Sequence, residues 1–527
     1  MADLTLTSKK SQLPWANYPA WWKVVAAFAV GALIAGFSLV KFVPKGASSQ
    51  AGVGLGEAGG EELFIDPRTG EIVRRSAGGG TTSGTSGTGG TAGQAGGPGG
   101  GQAGGAGGAG GGTGQGGAGG GGQVSCAVGG NGGATATGVT ATEVKLGATV
   151  AESGIAEAFL GEVRLAMEAL KDKVNLSGGV CGRRLRIIYK DDGWDPDRGL
   201  TFIKNLVEQD QVFALAVSPS SEGLNAASES GYIRNNRIPV VGSDGMLKSQ
   251  YTDPYIWPVA AATVTQMHVL MKNAWDRGAR NPAIVFENTY RFGVEGANAF
   301  NKAYERLSGR SLGSGTTCSG RYCGIQAGKG QYGSEVTAVN SACNTEPRCD
   351  FIALLLEPVT ALNWMRTTGA KQPKDLARGM GAAQPLFTYD FGDSCHDRCA
   401  GLWIWTGYNP PIEQYASSAA VREYVSDLNG KSRAADEFNQ FTEGGYLGMK
   451  LLIEGLKRTP GLTRENLTNT LNSMTLETGL SPRLSWTAQS HFANPAAQAF
   501  EIQSKNGFTG WRFVQNYISD PWLGQDV

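Results

Sequence analysis

From Gly138 onward, short apolar runs alternate with longer segments in which apolar residues recur at helical spacing. Val144–Val150 (VKLGATV) predicts a buried strand. Residues 155–174 predict an amphipathic helix, with Phe159, Val163, Ala166, Met167, Leu170 and Val174 on one face. Strands follow at 185–191, 213–217 and 238–241, with helices at 195–208 and 222–235 between them. Asp195 before Pro196 suits the cap of the first of these helices. The alternation then restarts, with helices at 263–277, 294–307 and 358–368 and strands at 282–287, 351–356, 386–389 and 402–405. Helices at 437–458 and 463–474 and a closing hairpin complete the chain. Strand–helix alternation repeated twice predicts an α/β protein of two doubly wound, Rossmann-like lobes. In such sheets a ligand enters the crevice at the carboxyl ends of the strands.

The region before Gly138 follows no such pattern. Residues 24–40 (VVAAFAVGALIAGFSLV) carry no charge, with Trp21 and Trp22 before them and Phe42 after. Such a run with aromatic flanks predicts one transmembrane segment over 21–43, behind a cytoplasmic tail of residues 1–20. No lipobox cysteine or small-residue cleavage site follows, which points to an uncleaved signal-anchor. Residues 44–137 read as a flexible Gly-rich linker, since such a composition cannot bury enough apolar surface to offset its ordering entropy. One island, EELFIDPRTGEIVRR at 61–75, suits a small hairpin around D-P-R-T-G, or a docking peptide.

Charge narrows the possible partners. Lys plus Arg and Asp plus Glu are 46 each, so there is no basic footprint for nucleic acid. The eight cysteines are Cys126, Cys181, Cys318, Cys323, Cys343, Cys349, Cys395 and Cys399. Six fall in close local pairs, which predicts disulfides and hence an extracytoplasmic domain. Cys126 and Cys181 could join the end of the linker to the GGVCG turn. Zinc at Cys395, His396 and Cys399 is the competing reading, but the C-x2-C spacing of structural zinc sites is absent, so no metal is expected. No nucleophile elbow, Walker loop, zinc-protease helix or dinucleotide fingerprint occurs, so binding without a cofactor is expected rather than catalysis.

Candidate ligand groups sit at predicted strand ends. Ser218, Ser220 and Ser221 (VSPSSEG) offer hydroxyls and helix N-terminal amides to a carboxylate, or simply cap the helix. Ser243 and Asp244 lie in a turn between glycines, and Tyr290 and Phe292 occupy the corresponding place in the second half. Phe292 suits core packing as well as ligand contact.

The segment GGVCGRRLRIIYKDDGWDP (178–196), followed in order by VSPSSEG, IPVVGSDG, TYRFGVEG and GLWIWTGYNPP, resembles the type 1 periplasmic binding proteins. The similarity is greatest to the branch that binds leucine, isoleucine and valine for ABC transporters, and it spans most of residues 139–520. That resemblance implies one lobe of residues 138–259 plus 408–481 and a second of 260–407 plus 482–527. Crossovers would fall near Val259, Tyr408 and Pro482, with hinge closure on a small-molecule ligand and an ABC permease as partner. It also implies that Asp390 grips an ammonium. Met246 and Phe292 depart from the amino-acid-binding pattern, where a hydroxyl residue and a tyrosine are expected, which leaves amides and organic acids open. Two cysteine-bearing segments, 310–330 and 341–350, are unusual inserts for the family. A ligand sensor for a membrane partner and a surface adhesion or scaffold protein are alternative outputs.

Overall fold

The computed structural model describes residues 132–526, together with two strands nearer the N-terminus. Those strands, β1 (Glu61–Ile65) and β2 (Ile72–Ser76), pair antiparallel with Ile65 opposite Ile72, the hairpin expected around the D-P-R-T-G turn. The expected membrane segment at 21–43, the rest of the linker up to residue 131 and Cys126 lie outside the described residues. Among the described residues, no helix is long and apolar enough to cross a membrane.

Two sheets organise the main body. The first contains β3 (Glu143–Val150), β4 (Arg184–Asp191), β5 (Ala214–Ala216), β6 (Val240–Ser243) and β7 (Ile256–Pro258), all parallel, in the order β4-β3-β5-β6-β7. The second is built on β8 (Pro282–Glu287), β10 (Tyr322–Ile325), β11 (Phe351–Leu355), β12 (Met380–Ala382) and β13 (Leu402–Thr406), parallel and in the order β10-β8-β11-β12-β13. The two orders are the same topology, with the first strand flanked by the second and third. The short antiparallel strand β9 (Cys318–Ser319) extends one edge of the second sheet. The hairpin β16 (Ala496–Ser504) and β17 (Phe508–Ser519) extends the other. A small ribbon, β14 (Thr475–Leu476) with β15 (Leu484–Ser485), stands apart.

Parallel strands covered on both faces must be apolar throughout, and β5, β6, β8 and β11 are buried at every position. Helices Pro196–Glu208 and Ser221–Glu229 cover one face of the first sheet around Ile203, Leu206, Leu215 and Leu224. Helices Val163–Leu176 and Gln440–Arg458 cover the other, within a core that continues under the second sheet through Thr263–Asp276 and Arg291–Ser308. The chain crosses between the sheet units after β7, after β13 and after β15.

Several elements differ from the sequence pattern. The expected helix at 155–174 is broken at Gly161 into Glu157–Leu160 and Val163–Leu176. That at 222–235 breaks at Gly231, whose φ of 75° ends the helical run. The strand expected at 386–389 is absent. Pro385 cannot donate to a ladder, so Gln384–Leu386 turns as a 3-10 helix and Tyr389–Cys395 is helical behind the Thr388 cap. The strand in that position is the shorter β12. The 310–330 segment is more than an insert, since it supplies β9 and the fully buried β10. The local cysteine pairs are disulfides: Cys318–Cys323, Cys343–Cys349 and Cys395–Cys399. Cys181 is also disulfide-bonded.

Candidate functional site

In each sheet the strand order reverses between the first and third strands, and the carboxyl ends there open a crevice. In the first sheet those ends belong to β3 and β5. Thr149 is the penultimate residue of β3, and Val217 and Ser218 follow β5. Both Val217 (φ 58°) and Ser218 (φ 44°) hold left-handed backbone, as does Trp194 (φ 67°) in the loop after β4. For a β-branched valine this is a strained conformation, of the kind that concentrates at binding sites.

Asp192 organises the loop after β4. Its Oδ1 accepts from the Trp194 amide at 2.9 Å and from the Ser220 hydroxyl at 2.6 Å. Trp194 Nε1 donates to Ser221 Oγ at 3.0 Å. Ser220 and Ser221 therefore serve Asp192 and Trp194, and the Ser220 side chain makes no capping bond to its helix. Asp192 Oδ2 is buried without a partner. Gly199 and Gly223 admit it, because a Cβ on either would stand within 2.8 Å of that oxygen. Burial raises the Asp192 carboxyl to about 6, against the lowering effect of Ser220 and the Trp194 amide.

Other polar groups at this edge have no hydrogen-bond partner at all: Thr149 Oγ1, Ser218 Oγ, Ser243 Oγ and both oxygens of Asp244. Burial pushes Asp244 up to about 8, although the amides of Met246 and Gly245 face it. Glu443, in the first turn of helix Gln440–Arg458, is wholly buried with both oxygens unpartnered, and burial alone holds its carboxyl well above the usual range. Tyr408 lies near enough to Asp244 and Glu443 for both charges to raise its phenol. The side-chain amides of Gln384 and Gln440 and the hydroxyl of Thr442 are likewise buried without partners.

The second switch point lies between β8 and β11. Glu287, the last residue of β8, accepts from the Glu357 amide at 2.7 Å. Glu357 caps helix Pro358–Arg366 by accepting from the amides of Val359 and Thr360. Burial raises both carboxyls, and each is close enough to Tyr290 to raise its phenol too.

The two sheet units meet across the crevice through aromatic rings and reciprocal helix-end contacts. Trp194 lies 4.3 Å from Tyr290 and 5.9 Å from Phe292 between ring centroids. Phe159 packs on Trp194 at 5.4 Å and on Phe441 at 5.2 Å. Glu222 from the first unit accepts from the Arg291 amide at 3.1 Å, at the N-terminus of helix Arg291–Ser308 in the second. Glu295 of that helix accepts from the Lys248 amide at 2.8 Å, and Arg291 pairs with Glu229. Burial raises Glu222 to about 7 despite the Arg291 and Phe292 amides.

The sequence-predicted residues thus divide. Ser218, Ser220, Ser221, Ser243 and Asp244 gather at the carboxyl edge of the first sheet, and Tyr290 and Phe292 face Trp194 across the crevice. Phe292 is also part of the core. Asp390 lies apart, exposed at the rim, where it pairs with Arg433 at 3.3 Å. It lines a cavity of about 580 Å3 with Gly154, Ile155, Pro358 and Leu362. Sequence reasoning missed Thr149, Trp194, Glu222, Glu287, Glu357 and Glu443. The one available signal was Glu287, a charge closing the otherwise apolar run PAIVFE.

The model of a family described as periplasmic binding protein matches residues 143–507. A sequence search among curated proteins returns no match. Similar solved structures include a fatty acid ABC transporter substrate-binding protein from Thermomonospora curvata. It has TM-score 0.60 and 17% identity, covering 73% of this chain and 95% of that one. An ABC transporter solute-binding protein from R. palustris in complex with 4-hydroxybenzoate has TM-score 0.60 and 15% identity, covering 73% and 99%. The branched-chain amino acid transporter substrate-binding protein of Streptococcus pneumoniae, in complex with isoleucine, has TM-score 0.58 and 14% identity, covering 71% and 100%. With its paired sheets and facing switch points, the chain belongs to the periplasmic binding proteins.

Proposed function

We propose that this chain is a membrane-tethered extracytoplasmic solute receptor that captures a small polar organic ligand and delivers it to an ABC importer. Residues 138–259 with 408–481 form one lobe in this reading, and residues 260–407 with 482–527 the other, closing about the three crossovers. The observation that carries the reading is the set of buried, unpartnered polar side chains at the carboxyl edge of the first sheet. Thr149, Ser218, Ser243 and Asp244 each bear the cost of desolvation without a hydrogen bond in return. A ligand supplying those bonds would remove that cost. Support for a receptor role comes from proteins of the same fold, a fatty acid ABC transporter substrate-binding protein and others found in complex with 4-hydroxybenzoate or isoleucine. The uncharged run at 24–40 supports the tether, and the disulfides support an oxidising compartment.

The Trp194–Tyr290 contact favours a second reading, a surface scaffold whose crevice is filled by its own side chains. Thermal melting of the full chain against amino acids, amides, organic acids, amines and sugars separates the two. A ligand at 100 times its dissociation constant adds ~2.7 kcal/mol to a receptor. A well-folded protein that shifts with no compound is the scaffold.

A further inference from the structure

The buried charges of the described residues are distributed unevenly. Asp192, Glu222, Asp244, Glu287, Glu357 and Glu443 are all buried around the crevice. Asp244 directly follows β6, and Glu443 stands in the first turn of helix Gln440–Arg458, which packs on β6 so closely that a Cβ on Gly242 would stand 2.4 Å from the Gly448 Cα. In keeping with this, the Glu222 charge raises Asp244, Glu287 and Tyr290, while Asp244 and Glu443 both raise Tyr408. The buried bases serve elsewhere. Arg183 donates to the carbonyls of Thr140 and Gly133, His268 bonds Asp520 and Asp526, and His491 bonds the Ile256 carbonyl. The other cations near the crevice, Arg198, Arg291, Lys248 and Arg433, are exposed, and Arg198, whose charge reaches Asp192, donates to the Asp191 carbonyl. Arg291 is engaged by Glu229, and Arg433 by Glu162, Asp390 and Glu437.

A crevice with six buried carboxyls and no buried base is unsuited to an anion. Buried carboxylates need a counter-charge or a proton. Both oxygens of Asp244 and Glu443 and one each of Asp192 and Glu287 have neither hydrogen bond nor ion pair. Phe159, Trp194, Phe441, Tyr290 and Phe292 form a connected set of rings at the crevice, and aromatic faces attract cations through the ring quadrupole. No group of three His, Cys, Asp or Glu side chains among the described residues is arranged to hold a metal ion, while a wall of aromatic rings suits an organic cation.

Resting on the receptor reading above, we infer that the crevice selects a small organic cation, an amine or quaternary ammonium without a carboxylate, held by Asp244 and Glu443 against the Trp194–Tyr290 wall. The charge preference is opposite to that of a protein found with 4-hydroxybenzoate. Unfilled, the carboxyls carry protons or open the crevice to water; a bound cation lets them ionise.

The test titrates the full chain with choline, putrescine and agmatine in one series and with 4-hydroxybenzoate, hexanoate and isoleucine in another, by tryptophan fluorescence and calorimetry. At least one cation is expected to bind and quench. Asp244→Asn and Glu443→Gln should each weaken it tenfold or more while leaving the unliganded protein melting no lower than the wild type. Trp194→Phe should lose the fluorescence change and keep calorimetric binding. Binding by the anions or isoleucine, with none by the cations, overturns the ligand class and leaves the receptor standing. Cation binding unaffected by both carboxyl variants overturns the assigned site. No binding in either series overturns the ligand class, and no response to the wider melting panel then overturns the receptor reading as well.

Discussion

The two sheet units share a strand order, yet their switch points treat buried polar groups differently. In the second, Glu287 and Glu357 are held by backbone amides: Glu357 N–H reaches Glu287, and Val359 and Thr360 N–H reach Glu357. Only Glu287 Oε2 remains unpartnered among those four oxygens. In the first, the side-chain oxygens of Thr149, Ser218, Ser243 and Asp244 are buried with no well-formed hydrogen bond, and only the Gly245 and Met246 amides face Asp244. The same topology therefore builds one edge that satisfies itself and one that waits for a partner. The backbone follows the same division, with left-handed Trp194, Val217 and Ser218 all on the unsatisfied side. The structural load of closure falls on contacts between the edges, and above all on Trp194.

Trp194→Ala removes the ring that touches Phe159, Tyr290 and Phe292. Truncating so large a buried side chain should cost ~3–5 kcal/mol in urea unfolding. Tyr290→Ala should cost less, because Tyr290 is only half-buried. Equal costs would mean that the two edges share the wall evenly. On the self-satisfied edge, Glu357→Ala leaves the Val359 and Thr360 amides without their acceptor and should cost ~1–3 kcal/mol.

The matching change on the other edge has the opposite sign. Asp244 rises from an ordinary 3.8 to about 8 on folding. Below 3.8 the group is protonated folded or unfolded. Between 3.8 and 8 the folded form keeps a proton that the unfolded form releases, so stability falls as pH rises and the loss is complete above 8. Glu222 acts in the same direction between 4.5 and about 7, and Asp192 between 3.8 and about 6. The unliganded protein should lose stability from pH 5 to 8, by at most about 1.4 kcal/mol per pH unit for each group. Asp244→Asn should flatten the upper part of that slope and raise the melting temperature at pH 8. A variant that melts lower than wild type at pH 8 would mean that Asp244 has a partner in solution.

The difference between the edges also explains what could be read from sequence. The strand ends were legible because the apolar runs of β5, β6, β8 and β11 stop abruptly, with a polar residue closing β6 at Ser243 and β8 at Glu287, which placed Ser218, Ser243, Asp244 and Tyr290 at the crevice. The acids were not. Glu222 and Glu443 stand in first helical turns and Glu357 stands before Pro358, where a carboxylate is the ordinary complement to a helix N-terminus. Nothing local separates a solvated cap from a buried one. Only the approach of the second unit covers Glu222, and only the packing of helix Gln440–Arg458 near Tyr408 and Tyr424 covers Glu443. Helix interruptions at Gly161 and Gly231 were hidden for a related reason, since the apolar spacing continues across them.

The rim supplies the smallest effect and the sharpest contrast. Asp390 is the acid that the family resemblance singled out, and it is exposed, shared with Arg433 alongside Glu162 and Glu437. An exposed pair in such a network contributes under ~1 kcal/mol, so Asp390→Ala should change unfolding free energy by less than that and lose even this in high salt. Its effect on cation affinity should be under threefold, against tenfold or more for Asp244→Asn, because water screens a rim charge and cannot reach a buried one. If Asp390→Ala instead weakens binding as much as Asp244→Asn does, the ligand sits in the rim cavity beside Pro358 and Leu362. The unsatisfied edge would then be a strained core rather than a binding surface.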